Sequence, residues 1–91
     1  MLQGSASTDF PVFFPGPAPG LTSDAYAVVV SASDQATFLS PAPAPAEVSA
    51  PSGLYGFIIP GAFLTTPGTY YIYVSYSINN SLAYSDYLVI S

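Results

Sequence analysis

The side chains that could perform chemistry are five carboxylates and a set of hydroxyls, because the chain has no Lys, Arg, His or Cys. A serine nucleophile needs a neighbouring base, and neither Ser52 nor Ser85 has a His or Lys available anywhere in the sequence. Paired carboxylates could hydrolyse glycosides only beside a cleft that holds a sugar, which a 91-residue domain rarely provides. We therefore predict no catalytic residues and no enzymatic activity.

The acids are also the only candidate metal ligands. Asp24 and Asp34 flank a predicted strand and could approach each other at one end of the domain. Calcium takes six to eight oxygen ligands, and the sequence has no Asp-x-Asp-x-Asp-Gly loop to supply them. Zinc sites and disulfides need His or Cys. We predict solvated turn residues at these positions, with no metal and no cofactor.

The charge excludes further classes of partner. The formal net charge is −5 and no side chain is cationic, so the chain cannot neutralise nucleic-acid phosphates or anionic lipid headgroups. The apolar runs are much shorter than the roughly 20 residues of a spanning helix. Residues 1–5 lack the basic and apolar regions of a secretory signal. We expect one soluble domain, made in the cytoplasm, with no membrane or nucleic-acid partner.

Residues 1–20 are predicted to form an extended amino-terminal arm, and residues 21–91 the folded domain. Proline fixes φ and removes a backbone donor, so the Phe- and Pro-rich segment 10–20 cannot be helical. Two interpretations stay open: the arm packs on its own domain, or it lies on a neighbouring subunit. For the second, the partner-binding candidates are Phe10, Val12, Phe13 and Phe14. Deleting residues 1–20 should then leave the domain folded and abolish attachment.

The rest of the chain has the pattern of short strands separated by turns. Runs rich in β-branched and aromatic residues predict strands at 24–31, 36–39, 47–50, 54–60, 69–78 and 82–91. No segment shows a helical period. About seven short antiparallel strands at this spacing predict an all-β sandwich.

The last two strands allow a prediction of register. With Asn79–Ser81 as a three-residue loop, the opposed pairs are Ile78 with Leu82, Tyr76 with Tyr84, Val74 with Asp86, Ile72 with Leu88, and Tyr70 with Ile90. Alternate residues from Tyr70 to Ile78 then face the core. Tyr71 and Tyr73 face outward, where another chain could cover them, so both join the partner-binding candidates.

The segment Leu64–Val74 carries a family resemblance. Its Pro67-Gly68-Thr69-Tyr70 sequence, leading into a long penultimate strand, resembles the last two strands of immunoglobulin-like modules in tailed-phage virions and bacterial surface proteins. The resemblance implies an immunoglobulin-like β-sandwich. It also implies that Tyr70 or Tyr71 forms the corner in which a tyrosine bonds to an upstream backbone group.

Three functions are compatible with these features. The first is a phage capsid decoration protein on the virion surface, bound to the major capsid protein or to neighbouring copies of itself. The second is a subunit of an extracellular filament or surface layer, in which residues 10–20 insert as a donor strand into the next subunit. The third is a carbohydrate-binding module that stacks sugars on its eight tyrosines.

Overall fold

A computed structural model describes residues 1–91, the side chain of Ser23 excepted, and shows an all-β chain. A 3₁₀ turn at Ser23–Ala25 precedes the third strand. The seven strands are β1 (Leu2–Gly4), β2 (Phe10–Pro15), β3 (Tyr26–Ser31), β4 (Ala46–Glu47), β5 (Leu54–Ile59), β6 (Gly68–Tyr76) and β7 (Leu82–Ile90). The predicted all-β class and the number of strands are confirmed.

The strands form two sheets. The four-stranded sheet has the order β1-β7-β6-β3, and the three-stranded sheet has the order β2-β5-β4. All neighbours are antiparallel except β1 and β7, which run parallel with Leu2 opposite Leu88. The expectation of exclusively antiparallel strands is therefore corrected at β1. The predicted strand at 36–39 is reduced to a single bridge between Phe38 and Ser31.

One core lies between the two sheets, because each strand alternates inward apolar residues with outward ones. From the three-stranded sheet and the loop after it come Val12, Phe14, Tyr55, Phe57, Ile59 and Leu64. From the four-stranded sheet come Tyr26, Val28, Val30, Tyr70, Ile72, Val74, Leu88 and Ile90. Rings meet across the two layers: Phe14 contacts Tyr26 edge-on, with centroids 5.0 Å apart. The two layers are thus held by a shared aromatic and aliphatic interior.

Residues 1–20 contribute a strand to each sheet, which agrees with the interpretation that the arm packs on its own domain. β2 pairs along its whole length with β5, with Phe10 opposite Ile59. Val12 and Phe14 point into the core and are each 1% exposed. The reason is the alternation along β2, in which every second residue is apolar and faces inward. Deleting residues 1–20 would remove both core side chains and the edge of the sheet, so the truncated chain is not expected to fold.

The β6–β7 pairing is displaced by two residues from the predicted register. Tyr70 lies opposite Leu88, and Val74 lies opposite Tyr84 rather than Asp86. β6 ends at Tyr76, so the loop is longer than three residues, and a bulge follows Val74. An even displacement preserves the face of each side chain, so Tyr70, Ile72 and Val74 are buried as predicted. Ile78, predicted to be a core residue, lies in the loop and is 92% exposed.

The outer edges of the sheets are short or interrupted. β1 has three residues and β4 has two. β2 carries Pro11 and Pro15, which have no N–H to donate. Beside β3, the N–H of Leu39 donates to the carbonyl oxygen of Val30 at 2.9 Å, so residues 38–39 cover the carboxyl end of that edge.

Candidate protein-binding surface

Large apolar side chains are exposed together on the outer side of the four-stranded sheet. Tyr71 and Tyr73 alternate with buried residues on β6, opposite Tyr87 of β7 and Val29 of β3 respectively. Phe38, held beside β3 by its bridge to Ser31, completes the set. We call these five residues the aromatic face: Val29, Phe38, Tyr71, Tyr73 and Tyr87, which are 37–56% exposed. The outer side of this sheet therefore exposes a group of large apolar side chains to solvent.

A groove of about 450 Å³ crosses the β3 side of the aromatic face. Its lining residues are Val29, Ser31, Gln35, Phe38, Tyr71 and Tyr73. The wall opposite the tyrosines comes from the turn after β3, in which Gln35 has the left-handed φ of 55°. Asp34 holds that turn by accepting the N–H groups of Ala36 and Thr37 at 2.9 and 3.0 Å. On this side, the groove is therefore bounded by a turn that Asp34 closes through hydrogen bonds.

A second groove of about 380 Å³ lies on the other side of the two tyrosines. Tyr71, Tyr73, Ser85, Asp86 and Tyr87 line it, together with Ile72. Tyr71 and Tyr73 therefore form a ridge between two depressions. Such a ridge can fill a complementary hollow of a partner, and each depression can receive a partner's side chain.

The predicted partner-binding residues are split between the two layers. Tyr71 and Tyr73 face outward together, as predicted. Val12 and Phe14 lie in the core, where no partner can reach them in this fold. Phe10 is half-buried. Phe13 is 52% exposed, but on the outer side of the three-stranded sheet, where its ring covers Gly56.

Val29, Phe38 and Tyr87 belong to the aromatic face but were not among the predicted residues. Val29 lies in the predicted strand 24–31, where a run of three valines gives no sign of which face of the strand is covered. Tyr87 alternates with the inward Leu88, a signal that was present in the sequence. Phe38 reaches the face only through the bridge to Ser31, which no local pattern predicts.

The carboxylates are engaged by their own chain. All five accept hydrogen bonds: Asp9 from Gly61, Asp24 from Thr22, Asp34 from Ala36 and Thr37, Glu47 from Gly20, Ser52 and Gly53, and Asp86 from Tyr84 and Tyr87. Asp86 also lies 3.3 Å from the amino group of Met1. These acids act as acceptors that close turns and fix strand ends.

Hydrogen bonding changes the acidity of three of these groups. N–H donors from Gly53, Ser52 and Gly20 lower the pKa of Glu47, the first two having the largest effect. The N–H groups of Ala36 and Thr37 likewise lower the pKa of Asp34. The N–H of Tyr87 lowers the pKa of Asp86. Each carboxylate is stabilised in its ionised form because the donors favour negative charge.

Asp24 and Asp34 do not meet. They lie at opposite ends of β3, whose six residues separate them by about 20 Å at the usual rise of a strand. Among the described residues, no three His, Cys, Asp or Glu side chains come together in a group that could hold a metal ion. Within the same residues, no helical segment has the length and apolar character that crossing a bilayer requires.

Comparisons with known proteins identify no matching protein family, no similar curated protein and no similar solved structure.

Proposed function

We propose that the chain is a non-enzymatic structural module with an immunoglobulin-like sandwich fold. The strand order supports this: in such domains the second, fifth and fourth strands share one sheet, and the third, sixth and seventh share the other. The first strand lies beside the seventh here rather than beside the second. The Tyr70 hydroxyl donates to the carbonyl oxygen of Thr66 at 2.7 Å, which fits the tyrosine corner at the start of the penultimate strand.

We further propose that this module is a capsid decoration protein of a tailed-phage virion and binds the major capsid protein on the outer surface of the head. The observation that carries this is the aromatic face. Contiguous exposed apolar surface on a small domain marks an interaction site, and tyrosine is enriched where protein interfaces are strongest. The sheet fixes the backbone of Tyr71 and Tyr73, and a tyrosine side chain has only two χ angles to order, so little conformational entropy is lost when a partner covers them.

The placement of β2 supports decoration over assembly by donor-strand exchange. In donor-strand exchange a neighbouring subunit supplies the strand that completes a sheet. Here β2 already lies beside β5 over six paired residues, and Val12 and Phe14 fill the core from within the same chain. The chain therefore has its own strand at the position that a donor would occupy.

Cosedimentation with phage heads tests the proposal. Heads of the phage that encodes the chain, prepared without it, should bind the purified protein to saturation at a fixed ratio to the major capsid protein. Tyr73→Ser should weaken binding at least fivefold, whereas Ile58→Ser should not. The two side chains are matched, since they are 55% and 58% exposed on opposite sheets. Absence of binding to heads, or equal binding by wild type and Tyr73→Ser, would refute the proposal.

A further inference from the structure

We propose that the groove beside Phe38 binds a guanidinium group, presented as an arginine side chain by a protein partner. This inference deepens the proposed function and rests on it in taking the partner to be a protein. Three features of the groove carry it: the arrangement of its rings, an unused hydroxyl on its inner surface, and the charge of the chain around it.

The rings stand on both sides of the groove. Tyr71 and Tyr73 project from the centre of the sheet, and Phe38 stands on the far side of β3. A volume of about 450 Å³ accommodates one long side chain with its planar head group. Guanidinium groups stack on aromatic faces and are attracted by the negative charge of the ring quadrupole. Val29 between the rings supplies apolar surface for the methylene stem of the arginine.

Ser31 places an unused acceptor in the same groove. It lies opposite Tyr71 on the outward side of β3 and is only 7% exposed. The side-chain hydrogen bonds of the described residues are all made by other groups. The Ser31 hydroxyl oxygen is not fully buried, so a ligand in the groove can reach it. The N–H groups of a guanidinium can donate to the Ser31 hydroxyl, and to the side-chain oxygen of Gln35 at the mouth of the groove.

The charge of the chain selects a cation. The chain contains five acids and no Lys, Arg or His, so no side chain of its own can compete for the rings. Asp34 precedes Gln35 in the turn beside the groove, so a negative charge lies near this site, although the carboxylate itself accepts from Ala36 and Thr37 and does not line the groove. An anionic ligand would be repelled. A neutral sugar could stack on the same rings, but the net charge would contribute nothing to its binding.

Paired peptides test this inference. ¹H–¹⁵N NMR titrations would use Ac-Gly-Arg-Gly-NH₂ and the same peptide with citrulline, which has the shape of arginine without its charge. We expect the arginine peptide to shift the amides of Val29, Ser31, Phe38, Tyr71 and Tyr73. It should bind about fivefold more tightly than the citrulline peptide, which is the factor that 1 kcal/mol of cation–π attraction gives. Added NaCl should weaken the binding of the arginine peptide.

Substitutions locate the interaction. Tyr73→Leu should abolish the preference for arginine over citrulline, because it removes the ring and keeps an apolar side chain. Tyr73→Phe should retain the preference, since the ring remains. Ile58→Leu, on the opposite sheet, should change nothing. Equal affinity for both peptides, shifts outside the groove, or displacement of the arginine peptide by the neutral trisaccharide maltotriose would overturn the inference.

These outcomes are separable from those of the proposed function. If heads bind the chain but the groove does not prefer arginine, the guanidinium site is refuted and decoration stands. If the groove prefers arginine but heads do not bind, decoration is refuted and the guanidinium site stands.

Discussion

The Tyr70 hydroxyl and the Thr66 carbonyl, four residues apart in sequence, form a 2.7 Å hydrogen bond that ties the start of β6 to the loop before it. The Tyr70 ring is buried at 4% exposure, so the carbonyl would lose its donor if the hydroxyl were removed. We predict that Tyr70→Phe lowers the free energy of unfolding by about 1 kcal/mol. Urea denaturation followed by circular dichroism measures this change.

The control for that prediction is Tyr71→Phe. Tyr71 is 37% exposed and makes no side-chain hydrogen bond within the described chain. Its loss of a hydroxyl should change the free energy of unfolding by less than about 0.5 kcal/mol. Equal destabilisation by the two substitutions would show that the corner hydrogen bond does not contribute to stability.

The neighbouring residues Phe13 and Phe14 on β2 should differ sharply in how much they contribute to the stability of the fold. Phe14 is 1% exposed and Phe13 is 52% exposed. Phe14→Ala should lower the free energy of unfolding by about 3–5 kcal/mol, because it leaves a cavity among the core rings. Phe13→Ala should cost no more than about 1 kcal/mol. Thermal unfolding of both variants measures the difference, and Phe14→Leu provides a milder substitution if the alanine variant does not fold.

The opposite ranking would mean that β2 is displaced by one residue from the register described here. It would also restore the idea that Phe14 lies on a partner. Intact folding of a chain lacking residues 1–20 would contradict the same strand assignment, because that deletion removes β1 and β2 together.

Alternation along strands could be predicted from the sequence, and it placed the central residues of β6 correctly. Tyr71 and Tyr73 face outward, and Ile72 faces inward, because side-chain direction depends only on odd or even position. The opposed pairs could not be predicted, since they depend on the length of the β6–β7 loop. Local pattern does not predict all the contacts of that loop: the N–H of Ser77 donates to the distant carbonyl oxygen of Ala25 at 3.0 Å.

The candidate site was predicted in part for a similar reason. Local pattern identified the two tyrosines of the ridge. Phe38 joins them through a single bridge to Ser31, and Val29 is recognised as exposed only when its position at the edge of the sheet is known. The aromatic residues of β2 were interface candidates only under the interpretation that the arm lies on a neighbouring subunit, and the structure shows the other interpretation, an arm packed on its own domain. In the structure, the prolines of β2 lie on an edge strand that needs no further donors on its outer side.

Acid should destabilise the fold partly through Glu47. Its pKa is lowered by backbone donors in the folded state, so its contribution to stability is present above the pKa of the unfolded chain. That contribution is lost as the pH falls through the lower, folded value. We predict that the thermal midpoint falls as the pH is lowered from about 5 to 3, a range that spans the ordinary pKa of glutamate and extends below it.

Glu47→Gln isolates this effect. The amide oxygen cannot replace two carboxylate oxygens that accept from Gly20, Ser52 and Gly53. The variant should have a lower thermal midpoint at pH 7 and a weaker dependence on pH between 5 and 3. A pH dependence identical to that of the wild type would show that the carboxylate does not link the 47–53 loop to stability.

The interrupted sheet edges have a consequence for many copies held side by side. Unpaired strand edges are the usual route by which β proteins fuse into fibres. Here the edge strands β1 and β4 are short, the edge strand β2 carries prolines, and the backbone of Leu39 pairs with the Val30 end of the edge strand β3. Copies of this protein can therefore lie close together without their sheets joining through edge-strand hydrogen bonds.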